Sequence, residues 1–163
     1  MIIYGDNLIR ICFESLLKIV LKNHSISDYT INRMNLKNID NDLLVSSDMI
    51  FFAGGGLFGL SYLNFYQYLD RITQIANEHH IPVIFSSMGV NNMDITSETE
   101  DKLVNILKRK CIKAVSVREY EGLFCKYAAD TSLEINSVCD TACWCEYIYH
   151  FDEISSKKTI GIN

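Results

Sequence analysis

Residues Asp48 to Gly59, DMIFFAGGGLFG, constrain the fold more than any other stretch, because an unbroken apolar run ends in three consecutive glycines and a helix-like segment follows. Met49 to Ala53 lack the polar alternation of a half-exposed strand and so predict a strand covered on both faces of a parallel sheet. Gly54, Gly55 and Gly56 permit backbone conformations and close approaches that a Cβ forbids. In open parallel sheets, ligands gather at the carboxyl ends of strands, where helix N-termini present unpaired N–H groups. These three glycines are therefore candidate binding residues.

The same alternation runs through the chain. Met1-Ile2-Ile3 reads as a short strand, Tyr4 to Asn7 as a turn, and Leu8 to Leu21 as a helix with Leu8, Ile9, Cys12, Leu16, Ile19 and Val20 at helical spacing. Asp28 to Met34 predicts a second strand, and the Asn- and Asp-rich stretch Asn35 to Asp42 a connection without a core pattern. After the strand at Asp48 to Ala53 come a helix over Tyr62 to His79 and a strand over Pro82 to Ser87 that ends in the turn Met88-Gly89-Val90-Asn91. Thr96 or Ser97 caps a helix running to Arg109, with Glu100 at capping-box spacing from Ser97. Lys113 to Val117, Tyr120 to Tyr127 and Leu133 to Val138 read as strand, short helix and strand, and Lys158 to Asn163 as the start of one more strand. Strand and helix in alternation predict an α/β fold with a doubly wound, mainly parallel sheet and helices on both faces, Rossmann-like in character. The expected division is a domain over residues 1–150, with 151–163 as a linker and the first strand of a second domain.

Composition excludes several function classes. The net charge is −5 without a long Lys/Arg run, which denies a nucleic-acid backbone the basic surface it needs. No apolar stretch reaches the ~18–20 residues of a membrane span, and the first residues lack the pattern of a secretion signal, so a cytoplasmic location is expected. Six cysteines without such a signal read as reduced thiols. Cys12, Cys111 and Cys125 lie in apolar contexts. Cys139, Cys143, Cys145 and His150 follow C-x3-C-x-C-x4-H, which does not reproduce a zinc knuckle, and small-residue packing is the simpler reading; no metal is expected.

Gly54-x-Gly56-x-x-Gly59 matches a dinucleotide fingerprint by letter but not by context. The motif belongs at the first strand, with an acidic residue ending the next, about twenty residues on. Here it follows the third predicted strand, and the next ends in Ser86-Ser87-Met88, so no NAD, FAD or other cofactor is expected. A tight turn that brings strand and helix together is the bland alternative. Arg118-Glu119 directly follows an apolar strand, where the guanidinium can bind a carboxylate or phosphate, or pair internally with Glu119 or Asp140. Asp6 and Asn7 sit at the first predicted strand end, where Asp6 can cap a helix or accept a ligand hydroxyl. Asp140 ends the last strand as a turn residue or a ligand contact. His79 and His80 close a helix at its carbonyl end, and His24 faces solvent. No Ser/His/Asp or Cys/His catalytic set can be assembled from order and spacing, so the catalytic residues stay unassigned.

Gly5-Asp6-Asn7, the DMIFFAGGGLF segment, PVIFSSMGVN, VSVREYEG and Cys139-Asp140-Thr141-Ala142, in that order, together resemble the polysaccharide pyruvyl transferase family over nearly the whole chain. Two departures stand out: only one Gly-Asp is present near the N-terminus, and the family's D-P-A step is Asp140-Thr141-Ala142. The resemblance implies the N-terminal half of a two-domain, GT-B-like enzyme that moves a pyruvyl group from phosphoenolpyruvate to two hydroxyls of a sugar, leaving a ketal on a cell-surface polysaccharide. It implies Asp6, Asn7, Gly54, Gly55, Gly56, Asn91, Arg118 and Glu119 as substrate-binding residues, with the general acid in the second domain. It leaves open a membrane-associated, lipid-linked acceptor and a homo-oligomer. Two other readings share the architecture: a non-catalytic binding or assembly module using the aromatics of Tyr62 to Tyr68 or Trp144 to Tyr149, and half of a nucleotide-sugar glycosyltransferase.

Overall fold

The computed structural model describes residues 4–34, 36, 38–58, 65–90 and 97–149. Four parallel strands, β1 (Ile50–Ala53), β2 (Val83–Met88), β3 (Ile112–Val117) and β4 (Ile135–Ser137), lie in the order β1-β2-β3-β4. Between successive strands run α3 (Phe65–Glu78), α4 (Ser97–Leu107) and α5 (Glu121–Tyr127). Parallel strands are joined almost always by right-handed crossovers, and with a strand order that never reverses this puts these three helices on one face. With α1 (Tyr4–Asn23) on the opposite face, the arrangement is the expected α/β fold, a parallel sheet with helices on both faces.

On that face Phe52 stacks on Phe85 with ring centroids 4.8 Å apart, and Phe58 bridges Phe85 and Phe124 at 5.2 and 5.0 Å. Val83, Phe85, Val115 and Val117 from the strands meet Leu69, Ile72, Ile106, Leu107 and Phe124 from the helices, all essentially without solvent contact. The opposite face is covered by α1 (Tyr4–Asn23), whose Phe13 ring lies 5.5 Å from that of Phe51. A 3₁₀ turn, Thr141–Trp144, and α6 (Cys145–Tyr149) pack beside α1, and Thr141 Oγ1 donates to the Ile9 carbonyl at 3.0 Å.

Three local expectations are corrected. Tyr4 to Asn7 is the opening of α1 rather than a turn, so Asp6 and Asn7 lie within the helix; Asn7 is exposed. Asp28 to Met34 forms no strand, because it acquires no ladder partner and Arg33 turns to Glu14 of α1. The connection before Ile50 contains a short helix, α2 (Asn41–Val45), capped by the Asp40 carboxylate, which accepts from Leu43 N–H, and pinned by buried Leu44. Met1 to Ile3, the Thr96 cap, Asn91 and the strand expected at Lys158 to Asn163 lie outside the described residues.

Candidate functional site

Each described strand of the sheet ends at its carboxyl edge in a turn, and hydrogen bonds knit these turns together. Gly54 N–H donates to Ser86 O at 2.7 Å, Gly89 N–H to Gly55 O at 2.7 Å, and Phe58 N–H to Gly89 O at 3.2 Å, with Leu57 and Val90 forming an antiparallel bridge. The glycine turn after β1 is thereby a lid on the end of β2. Gly54 has φ +64° and Gly55 φ +77°, and a Cβ on Gly54 would collide with the Ile9 side chain, so the turn needs glycine both for its torsion and for the approach of α1. Because Gly54 spends its N–H on Ser86, any ligand-donor role of the turn rests on Gly55 and Gly56.

Arg118, the first residue beyond β3, donates through Nη1 to Asp140 Oδ2. Its Nε lies 3.9 Å from Glu119 Oε2, too far for a hydrogen bond, and this buried N–H has no acceptor among the described residues. Both carboxylates are also tied to backbone: Glu119 Oε1 accepts from Val90 N–H at 2.6 Å, and Asp140 Oδ1 accepts from Ala142 N–H at 2.8 Å. The guanidinium lies directly on Gly89, where any Cβ would overlap its terminal nitrogen. Ser87, held at φ +57° and buried, donates its hydroxyl to Cys139 O at 2.9 Å while its N–H reaches Ser116 Oγ at 2.9 Å. Three strand ends and the loop leading to Asp140 are thus held in one constellation with formal charge −1, one guanidinium against two carboxylates.

The structure therefore brings together Gly54, Gly55, Arg118 and Glu119, and adds Gly89, Ser87 and Asp140 to them. Of the two readings of Arg118, internal pairing with Asp140 is what it shows. Asp6 and Asn7 belong to the opening turn of α1, the helix whose Ile9 touches the glycine turn and the Asp140 loop. Gly89 and Asp140 were visible as members of the G-V-N and D-T-A steps. The left-handed backbone of Ser87 had no sequence signal, since serine rarely adopts it.

The cysteines divide by burial. Cys12 and Cys111 are buried, and desolvation pushes both thiols above their ordinary range. Cys125 is exposed, as are Cys139 and Cys143, so the apolar-packing reading is corrected for these three. All six thiols are free, and among the described residues no group of three or more His, Cys, Asp and Glu side chains is placed to hold a metal. None of the described helices is long and apolar enough to cross a membrane.

Comparison with known proteins follows the same lines as this geometry. No curated protein and no solved structure matches the chain. A family model described as polysaccharide pyruvyl transferase matches residues 4–160, a span that includes every strand end described above. On that match, the chain belongs to the polysaccharide pyruvyl transferase family.

Proposed function

We propose that the carboxyl edge of this sheet forms part of the site where a pyruvyl group passes from phosphoenolpyruvate to two hydroxyls of a sugar destined for a polysaccharide. The observation that carries the reading is Arg118, a guanidinium locked at the strand ends with one buried N–H that has no acceptor among the described residues. The donor's methylene carbon gains a proton, the C–O bond between the adjacent carbon and phosphate breaks, and that same carbon forms two C–O bonds to the sugar oxygens. The two hydroxyl protons are accounted for by the new methyl group and by the departing hydrogen phosphate. Positive charge develops at the ketal carbon, and Asp140 and Glu119 supply fixed negative charge for it. Arg118 keeps those two carboxylates apart and oriented, and offers the Nε–H that is unpartnered among the described residues to a donor oxygen, with Gly55 and Gly56 adding backbone donors. Asp6, Asn7 and Asn91 complete the sugar contacts in this reading. The general acid belongs in this reading to a second domain, as in the two-domain, GT-B-like arrangement the resemblance implies.

The test is calorimetric titration of the chain with phosphoenolpyruvate beside a UDP-sugar, repeated with Arg118→Ala and Arg118→Lys. Loss of a charge-assisted hydrogen bond is worth about 1.5–3 kcal/mol, so Arg118→Ala should weaken phosphoenolpyruvate binding by at least about tenfold, with Arg118→Lys intermediate. Binding of the sugar nucleotide alone would replace this reading with the glycosyltransferase one. Phosphoenolpyruvate affinity unchanged in both variants would remove Arg118 from the donor site.

A further inference from the structure

Among the described residues, two helices end in the same way, and one of the two endings is covered. After α3, Ile81 N–H donates to Ala76 O at 2.8 Å, His80 stands at φ +59°, and the Ile81 side chain is 5% exposed. After α1, Ile26 N–H donates to Leu21 O at 2.9 Å, Ser25 stands at φ +59°, and Ile26 is 46% exposed. In this type of helix stop the apolar residue after the left-handed position often packs against the last turn of its helix, and Ile81 is buried. Ile26 instead stands on the wall of an open depression of about 350 Å³ lined also by Lys18, Lys22, Ser25, Ser27 and Tyr29.

The charges around it are opposite in sign to the chain as a whole. From Ser15 to Ser27 the sequence has two lysines and no acidic residue, in a chain of net charge −5. Lys18 and Lys22 are one turn apart on α1, and Ile19, also exposed, lies about 60° round the helix from Lys22. Asp28 is the nearest acid on the far side. Glu14, one turn before Lys18, is neutralised by Arg10 and Arg33, which leaves that triad at formal charge +1. Lysines flanking exposed Ile and Tyr side chains, with serine hydroxyls in the hollow between, complement an anionic lipid surface: ammonium groups and hydroxyls for the phosphates, Ile19 and Ile26 for the acyl boundary, Tyr29 for the interface.

We propose that the C-terminal turn of α1 and the loop to Tyr29 dock this protein on an anionic phospholipid bilayer. The docking is independent of the reaction proposed above, because the hollow lies at the other end of α1 from Ile9 and the glycine turn. The experiment is co-sedimentation of the full chain with vesicles of phosphatidylglycerol and phosphatidylcholine, and with phosphatidylcholine alone, across a salt series. Binding is expected only to the anionic vesicles and should weaken with salt. Lys18→Gln with Lys22→Gln should lower it about 25-fold, at about fivefold per lysine, and Ile26→Ser should lower it further while phosphoenolpyruvate titrations stay unchanged. No sedimentation with anionic vesicles, or equal sedimentation of all variants, would overturn the proposal. So would self-association of the free chain that Ile26→Ser abolishes, since a second copy would then be the occupant. Retention of vesicle binding in Ile26→Ser alongside its loss in the lysine pair would confine the contact to headgroups and overturn the insertion of Ile26.

Discussion

Gly89 shows how one missing methyl group holds the site. The Arg118 guanidinium rests where a Cβ would be, and the same side chain is held by Asp140 on its far side. Gly89→Ala must therefore displace the guanidinium, and because this is the tip of a flexible side chain the fold should give little. The expected result is a loss of phosphoenolpyruvate binding comparable to that of Arg118→Ala, with stability lowered by no more than about 1 kcal/mol. Paired calorimetry and thermal unfolding check this; an alanine variant that binds normally would show that the guanidinium position is irrelevant to the ligand. Gly54 is different, since its positive φ constrains the backbone and the packed Ile9 side chain leaves no room for a Cβ. The sequence announced Gly54 through its neighbours in a triple-glycine run. It announced Gly89 only as one letter of a turn, because nothing local says which side chain will lie across it.

At the scale of the elements, α1 is tied to the segment after it by Glu14. Its carboxylate accepts from Arg33 Nε and Nη2, each at 2.7 Å, and from Arg10 Nη1 at 2.9 Å. The Arg33 hydrogen bonds hold this carboxyl below the usual glutamate range against the opposing effect of burial, with Arg10 assisting. A carboxylate with a depressed folded-state pKa adds stability above its unfolded value, near 4.3, and that stability is lost as pH falls through the folded value. Glu14→Gln should cost about 1 kcal/mol at neutral pH, a figure kept low because Arg33 is largely in solvent. The difference between wild type and Glu14→Gln should shrink as the pH is lowered below about 4.3, measured by urea unfolding midpoints. A difference that stays constant with pH would exclude the charged contact as its source. The same contact explains why Asp28 to Met34, alternating like a strand, did not become one in the described sheet. Alternation records which side chains could share a face, whereas a strand also needs a neighbour with free backbone groups.

The whole molecule is unevenly supported. One contiguous core joins the sheet to α3, α4 and α5, while Ile9 and Cys12 of α1 are buried apart from it, against the 3₁₀ turn and α6. From Lys18 onward α1 is mostly exposed. Amide exchange of residues 16–23 should therefore be at least about tenfold faster than that of β2 and β3, reflecting sub-global opening of α1 ahead of the core. Equal protection in hydrogen-exchange mass spectrometry would mean that α1 unfolds only with the sheet.

Apolar runs of strand length, glycine turns after them and helical spacing between them were enough to name the parallel α/β sheet and the turns that gather at its carboxyl edge. Those signals are local: a buried strand must be apolar on both faces, and a turn that approaches another backbone must lack a side chain. The start of α1, the helix capped by Asp40, the exposure of Cys125, Cys139 and Cys143 and the commitment of Arg118 to Asp140 were decided only by the tertiary structure. Each depends on which distant group supplies the contact, and a guanidinium between two carboxylates and a free anion looks the same in sequence until the fold sets its distances.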